Sequence, residues 1–419
     1  MQMVTPKPKV VNVAVKICHL TSVHPADDIR IFVKECRSLA LAGHDVYLIA
    51  PNTENKIIDG VKVVGVSSTA SNRYSRMIAA AKSVYQAAIE VDADVYHFHD
   101  PELMIIGLLL KKKGKKVIYD VHEDVPEQVL SKQWIPKLLR KNISVSVKKM
   151  EKYAASRFDA VVTATPTITK RFKTYNASTV TVHNFPILQE LMGNPSESHT
   201  AKRKENSFLY IGGITELRGI KEMVSAIEVL NGQGKQGELV LAGKFAPEQL
   251  EQEMKQQKGW SHVDHKGWLS RNEVKDVLDE STAGLVLIRP EPRYMVSYPI
   301  KLFEYMAAGL PSIASNFPLW EDFVIGNHCG LCVDPLDPDA VADAMRWIME
   351  HPEEAKQMGE NGRKAVIEKY NWEKESQELV ALYERLAMAD NRSLKWGEQA
   401  DEGMDFKSRS VKTVGNRNN

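Results

Sequence analysis

The chain has 419 residues, 43% hydrophobic and 26% charged, a composition that excludes a fully disordered polypeptide. At about 150 residues per domain this length calls for two large domains or three small ones. Lys and Arg number 55 against 54 Asp and Glu, and a formal charge of +1 excludes a dedicated nucleic-acid binder on bulk charge.

The charge is unevenly spread. Residues 1–190 carry 27 Lys and Arg against 18 Asp and Glu, while residues 191–419 carry 28 against 36. A basic front half favours phosphate-bearing or membrane-surface partners. Four cysteines are too few for a disulfide framework in a chain this long, so a reducing compartment is expected. Cys329 and Cys332 form one CxxC without a second pair, which reads as a buried strand end in preference to a zinc or redox site. The basic residues near the start bracket only a short Val-rich run, unlike a signal peptide. The apolar run 103–110 is far shorter than the ~20 residues that span a bilayer. A cytoplasmic chain is expected.

In chain order, the run 10–17 reads as a strand, then a loop over 21–28 and a helix over 29–42. Phe32, Val33, Cys36, Leu39 and Ala40 form that helix's apolar stripe, and Gly43 stops it. Strands follow at 46–50, 61–66, 95–99, 116–120, 160–164 and 180–183. The polar stretch 189–206 reads as a linker. The alternation restarts with strands at 208–211, 238–242, 263–267, 283–288, 311–314 and 330–333, and a helix over 340–350. From about residue 389 the chain turns polar and reads as a frayed tail, 389–419. The pattern implies an α/β fold: domains at 1–188 and 207–370, each doubly wound, with a ligand cleft between the carboxyl ends of two sheets.

The most informative segment runs from Tyr298 to Pro311, a loop, a helix over 299–308 and a stop at Gly309. Lys301 lies in the first helical turn, where the dipole favours an anion, so a lysine there fits a bound diphosphate. Glu304, nearly one turn on, is placed to accept hydrogen bonds from a ribose diol. A surface Lys–Glu pair has the same spacing. Gly212 and Gly213 make a tight turn after a strand, and Arg218 offers a planar donor fork for phosphate; many strand–helix turns carry such glycines.

In the first domain, His97 and His99 share one face of a strand, and Asp100-Pro101-Glu102 opens the next helix. Tyr119-Asp-Val-His-Glu123 puts His122 and Glu123 at a neighbouring strand end. Ionisable residues at two adjacent strand ends suggest a site, although a satisfied core histidine is the plainer reading of His97. The first loop is not Gly-rich, which argues against a nicotinamide or flavin oxidoreductase. Asp92 and Asp94 precede their strand, unlike a metal-binding DxD pair. Residues 131–152 hold seven Lys or Arg and one Glu among Trp134, Ile135, Leu138, Leu139, Ile143, Val147 and Met150. Such a helix can lie on an anionic membrane or be an ordinary solvated surface.

Taken together, His24-Pro, Asp28-Ile-Arg30, Lys34-Glu35, His99-Asp-Pro-Glu102, Tyr119 to Glu123, Arg218-Gly219 and Lys301-Leu-Phe-Glu-Tyr-Met-Ala-Ala-Gly-Leu-Pro311 resemble a family 4 retaining glycosyltransferase of the GT-B fold, bacterial polysaccharide-assembly type. The resemblance covers about residues 10–388. It implies two tandem Rossmann-like domains, with segment 371–388 crossing back onto the first. It also implies hexosyl or N-acetylhexosaminyl transfer from a nucleotide sugar, a UDP-sugar favoured, to a glycan or lipid-linked acceptor on the inner membrane face. It places His99, Arg218 and Lys301 in catalysis, and Gly212, Gly213, Trp268, Ser297, Leu302 and Glu304 with Arg218 and Lys301 around the donor. His24, Asp28, Arg30, Asp100, His122 and Glu123 fall to the first-domain cleft or acceptor. No cofactor and no obligatory metal are implied. The family often has a second glutamate where Val296 stands and an arginine where Gly213 stands. A sugar-nucleotide 2-epimerase of the same fold, or a catalytically silent partner subunit, are the alternatives.

Overall fold

The computed structural model describes residues 14–67, 73–132, 135–192 and 204–405. The first sheet contains β1 (Lys16–Leu20), β2 (Asp45–Pro51), β3 (Lys56–Ile58), β4 (Val61–Val66), β5 (Val95–Phe98), β6 (Lys116–Val121), β7 (Ala160–Thr163) and β8 (Thr179–Thr181). Their order is β3-β4-β2-β1-β5-β6-β7-β8, parallel throughout except for the antiparallel edge pair β3–β4. The second sheet contains β9 (Ser207–Ile211), β10 (Glu238–Ala242), β11 (Val263–Gly267), β12 (Ala283–Val286), β13 (Ser312–Ser315) and β14 (Gly330–Val333). It is wholly parallel, in the order β11-β10-β9-β12-β13-β14.

Strand direction of growth reverses between β1 and β5 in one sheet and between β9 and β12 in the other. These two switch points leave crevices at the strands' carboxyl ends, where ligands bind in open α/β sheets. Both sheets are buried on both faces. Along β1, Ile17 joins one core and Cys18 and Leu20 the other, the period of two that a doubly covered strand requires.

The helix Trp372–Asp405 returns to the first domain. Its Trp372, Leu379, Leu382, Tyr383 and Leu386 are buried in the same core as Ile17, Ile31 and Leu39. Full burial of such side chains contributes about 1.5–3 kcal/mol each. Trp372 Nε1 also donates to Ser38 Oγ at 2.9 Å.

Several boundaries differ from the sequence reading. The first strand is Lys16–Leu20 in place of 10–17, of which 10–13 lie outside the described residues. Polar His19 does not end it, because the interior offers that ring partners. β3 is a three-residue edge with no apolar alternation to announce it. The helix expected over 29–42 opens as a π-wound segment, Ile29–Cys36, with the Asp28 carboxylate accepting from the Arg30 and Ile31 N–H groups, and continues as Arg37–Leu41. The last helix runs to Asp405, beyond residue 389 where a polar tail was expected to begin. Residues 193–203 of the linker, Trp134 and residues 406–419 lie outside the described residues.

Candidate active site

At the second switch point β9 ends in the Gly212-Gly213 turn. Gly212 has φ +120°, and a Cβ on it would stand 3.5 Å from Lys301 Nζ; one on Gly213 would stand 3.0 Å from Arg218 Nη1. The turn is therefore the floor of a cationic pocket. Arg218 Nη1 donates to the Gly213 carbonyl at 3.0 Å. Gly219 follows at φ +72°, and a Cβ there would lie 2.5 Å from the Leu287 carbonyl, so only glycine lets this loop close on the segment after β12.

The helix Ile300–Ala307 starts after Pro299 and stops at Gly309, φ +70°. Leu302, Phe303, Tyr305, Met306 and Ala307 are buried, while Lys301 and Glu304 keep the partly open face. Tyr305 fastens the helix to β9: its hydroxyl accepts from Ile211 N at 3.0 Å and donates to the Leu209 carbonyl at 3.3 Å. Lys301 Nζ is buried without a hydrogen-bond partner, 4.0 Å from the Tyr210 ring centroid. Burial and the neighbouring Arg218 push its pKa down to about 7, with Glu304 pulling it back up. An ammonium and a guanidinium lie beside two glycines, with no anion among the described residues to pair the ammonium, an arrangement able to take a phosphate group.

The seam between the domains adjoins this helix. His183 stacks on Phe185 and on Tyr298, with centroids at 4.7 and 5.0 Å, and Phe185 packs edge-on against Phe303. Glu375 accepts from His183 N at 2.7 Å and pairs with its Nδ1 at 3.0 Å. Lys34 of the first domain donates to the Asn184 side chain and backbone carbonyl. Burial pushes Lys34 down to about 7, and Glu304 across the seam opposes that shift.

At the first switch point the expected residues divide into two shells. His24 and His122 are partly open, their rings 5.6 Å apart. His24 Nδ1 lies 3.3 Å from Asp28 and Nε2 3.4 Å from Asp100, and the Asp28 bond raises its pKa. Asp28 is pushed down to about 2, its bonds to His24 and Ile31 overcoming burial. Glu123 is exposed. Beneath these, the Asp100 carboxylate is buried and its Oδ2 accepts from Thr21 Oγ1, Ser22 N and Ser22 Oγ, which shapes the first loop.

Three of the expected site residues lie in the interior. The His99 side chain is enclosed, with Nε2 2.9 Å from His19 Nδ1 and Nδ1 3.2 Å from His122 Nε2 and 3.3 Å from Asp120. Arg30 is also interior, its Nε and Nη2 donating to Asp120 at 3.1 and 2.9 Å and Nη1 to the Val182 carbonyl. Asp120, 90 residues away, draws it in. Leu302 is fully buried and its N–H bonds to the Pro299 carbonyl, because one residue past Lys301 the helix has turned inward. Ser297 lies just ahead of the helix, where its carbonyl accepts from Trp320 Nε1. Trp268 is 69% exposed beyond β11, the edge strand, with no contact to the Lys301 pocket among the described residues.

The sequence reading missed the interior partners. Glu35, His97, His99 and Asp120 bring one ligand atom each within 4.8 Å, a composition suited to a metal. Arg30 already supplies a cation between the two carboxylates, 3.1 Å from Glu35 and bidentate on Asp120. Asp120 is held well below the carboxylate range by Arg30 and His122 against the cost of burial; burial and Asp120 push Glu35 well above it. The only sequence signal was polar residues at strand ends. Among the described residues, both members of the CxxC are free thiols, Cys329 buried and Cys332 half-buried.

Residues 30–185 match the model of Glycosyltransferase Family 4, and residues 194–365 that of Glycosyl transferases group 1. The chain is 24% identical over 305 residues to the MMP alpha-(1->4)-mannosyltransferase of Mycolicibacterium hassiacum, covering 70% of this chain and 71% of that one. It is 23% identical over 358 residues to the O-antigen chain mannosyltransferase C of Escherichia coli, covering 82% and 89%. Among solved structures, sucrose-phosphate synthase from Thermosynechococcus elongatus superposes with a TM-score of 0.66 at 18% identity, over 89% of this chain and 99% of that one. Anabaena HepE in complex with UDP and glucose superposes at 0.66 and 12% identity, over 88% and 100%. With one match on each sheet-bearing half and this fold, the chain belongs to the family 4 glycosyltransferases of the GT-B class.

Proposed function

We propose that this glycosyltransferase moves a sugar from a nucleoside diphosphate donor to a glycan acceptor in polysaccharide assembly, with retention at the anomeric carbon. The observation that carries the reading is the pocket of Lys301 Nζ, Arg218 and the Gly212-Gly213 turn at the β9–β12 switch point. As the C–O bond to the sugar breaks, negative charge grows on the β-phosphate. Fixed cations there stabilise that charge without reorganising. Glu304, one helical turn from Lys301, accepts the ribose hydroxyls. Like-face attack needs no carboxylate nucleophile, and neutralisation by Lys301 and Arg218 makes no metal obligatory.

A UDP-sugar donor is favoured by the UDP bound in Anabaena HepE, and a glycan acceptor by the relatives named as mannosyl- and rhamnosyltransferases. The helix Lys137–Ala155 exposes Leu138 (92%), Leu139, Ile143 and Met150 beside five lysines and Arg140, a face suited to an anionic membrane that would carry a lipid-linked acceptor. No helix among the described residues is long and apolar enough to cross a membrane.

Calorimetry with UDP and GDP tests the reading. One of them binds the wild-type protein, and Glu304→Ala and Lys301→Ala each weaken it at least tenfold, ~1.4 kcal/mol. Unchanged affinity in both variants would refute the site.

A further inference from the structure

Strand β9 alternates between two cores: Phe208 and Tyr210 join one and Leu209 the other. Tyr210 is the last ring of the strand before the Gly212-Gly213 turn, and at 1% exposure it packs in the core of Ile214, Ile220 and Met223. So enclosed, its side chain is fixed in place. Both its hydroxyl and its ring face meet the cationic pocket.

The hydroxyl donates to the Gly213 carbonyl at 2.8 Å, and Arg218 Nη1 donates to the same carbonyl at 3.0 Å. Both lone pairs of that oxygen are thereby taken. At the other end of the same peptide, Ile214 N donates to the Lys244 carbonyl at 2.9 Å, so a flip of this peptide would break all of these bonds. Burial pushes the Tyr210 hydroxyl up to about 12, against the pull of Arg218, so it keeps the proton it donates.

Lys301 Nζ lies over the ring, 4.0 Å from its centroid, and has no hydrogen-bond partner among the described residues. An aromatic face attracts an ammonium, most strongly where water is excluded. Arg218 repels that ammonium and burial disfavours its charge. Tyr210 answers both, with a π face under the ammonium and a hydrogen bond that fixes the carbonyl holding the guanidinium. We infer that Tyr210 is a positioning residue for the donor diphosphate: it seats Lys301 on its ring and locks the Gly213 carbonyl that Arg218 grips, so that two like charges stand side by side before the phosphates arrive. The inference rests on the nucleotide site proposed above. Cations set in advance need no rearrangement as charge grows on the leaving phosphate.

Two substitutions separate hydroxyl from ring. Tyr210→Phe removes only the hydroxyl, and Tyr210→Leu removes both. Phe208→Leu makes a similar cut in the same core, two residues further from the turn. Full-length protein labelled with 13C-lysine reports the Lys301 ε-methylene, assigned by its loss in Lys301→Met. In wild type and Tyr210→Phe the ring shifts these protons upfield, and in Tyr210→Leu that shift is gone. With Arg218 and Glu304 in place throughout, the Lys301 titration midpoint holds in Tyr210→Phe and falls by about half a pH unit or more in Tyr210→Leu. In calorimetry with UDP and GDP, nucleotide affinity falls about threefold to tenfold in Tyr210→Phe and at least about tenfold in Tyr210→Leu. Phe208→Leu leaves both readouts as in wild type. An unshifted Lys301 signal in wild-type protein, a measurement that needs no variant to fold, would overturn the inference. Wild-type affinity in Tyr210→Phe, or equal changes in Phe208→Leu and Tyr210→Leu, would do the same. If neither nucleotide binds the wild-type protein, the donor site falls and this inference with it; nucleotide held equally by wild type and both Tyr210 variants removes only the role of Tyr210.

Discussion

Lys301 makes nucleotide binding depend on pH in a direction that can be worked out. Its ammonium is buried beside Arg218 without a hydrogen-bond partner, and its pKa stands at about 7 against the ordinary 10.5. A diphosphate beside it pairs the ammonium, which offsets burial and Arg218 and returns the pKa towards 10.5. Bound Lys301 then keeps its proton through a range in which free Lys301 loses it. Affinity is therefore greatest below about pH 7 and falls as pH rises, by up to tenfold per unit. Free Lys301 is half protonated at about pH 7 and about one part in a hundred protonated at about pH 9. The affinity for UDP or GDP should fall about 50-fold over that span, about 2.3 kcal/mol. The phosphates do not contribute, since they lose their last proton near about pH 6. Calorimetry in two buffers of different ionisation enthalpy should show close to one proton taken up on binding at about pH 8. Lys34, also held at about 7, titrates in the same window. Lys301→Met separates them: it binds more weakly at about pH 7 and loses most of the pH dependence. Equal affinity at both pH values, or no proton uptake, would show that the Lys301 ammonium does not pair with the bound diphosphate. In the nucleotide-free protein the sign is opposite. The unfolded chain holds the Lys301 proton between about 7 and 10.5 while the fold does not, so this group raises stability with pH across that window.

Arg30→Met strands the Asp120 carboxylate in the interior and should cost about 3–5 kcal/mol in denaturant unfolding. Asp120→Asn should cost clearly less, because Glu35, with Oε1 3.1 Å from Arg30 Nε, then ionises and pairs with the guanidinium; equal losses would contradict this. Neutralising Lys137, Arg140, Lys141, Lys148 and Lys149 should reduce flotation with anionic liposomes, and a variant that floats like wild type removes the membrane reading. Chelator should leave the UDP or GDP affinity unchanged, and a fall of tenfold or more would show that a metal takes part.

What the sequence disclosed, and what it hid, follows from the range of the interactions. Lys301 and Glu304 were legible because both lie on one helix whose start and stop are marked locally by Pro299 and Gly309. Arg218 and the two glycines were legible because one turn carries them. The enclosure of His99 was not legible, because strand periodicity puts His97 and His99 on one face without saying what covers that face. Over His97 the cover is Tyr383, from the far end of the chain, and over His99 it is His19 and His122. Arg30 looked like a cleft residue until a carboxylate on β6 claimed it. Lys34 showed no role in sequence, since its neighbours Asn184 and Glu304 come from the hinge and the other domain. Alternation of strands and helices identified the architecture, yet not the edge strand β3, which buries too little to leave a pattern.

The most direct measurement is a crystal structure of the protein with UDP or a UDP-sugar. The diphosphate should lie against Lys301 Nζ, Arg218 and the Gly212-Gly213 turn, with the ribose on Glu304. A nucleotide seated anywhere else, or phosphates held away from both cations, would contradict the account.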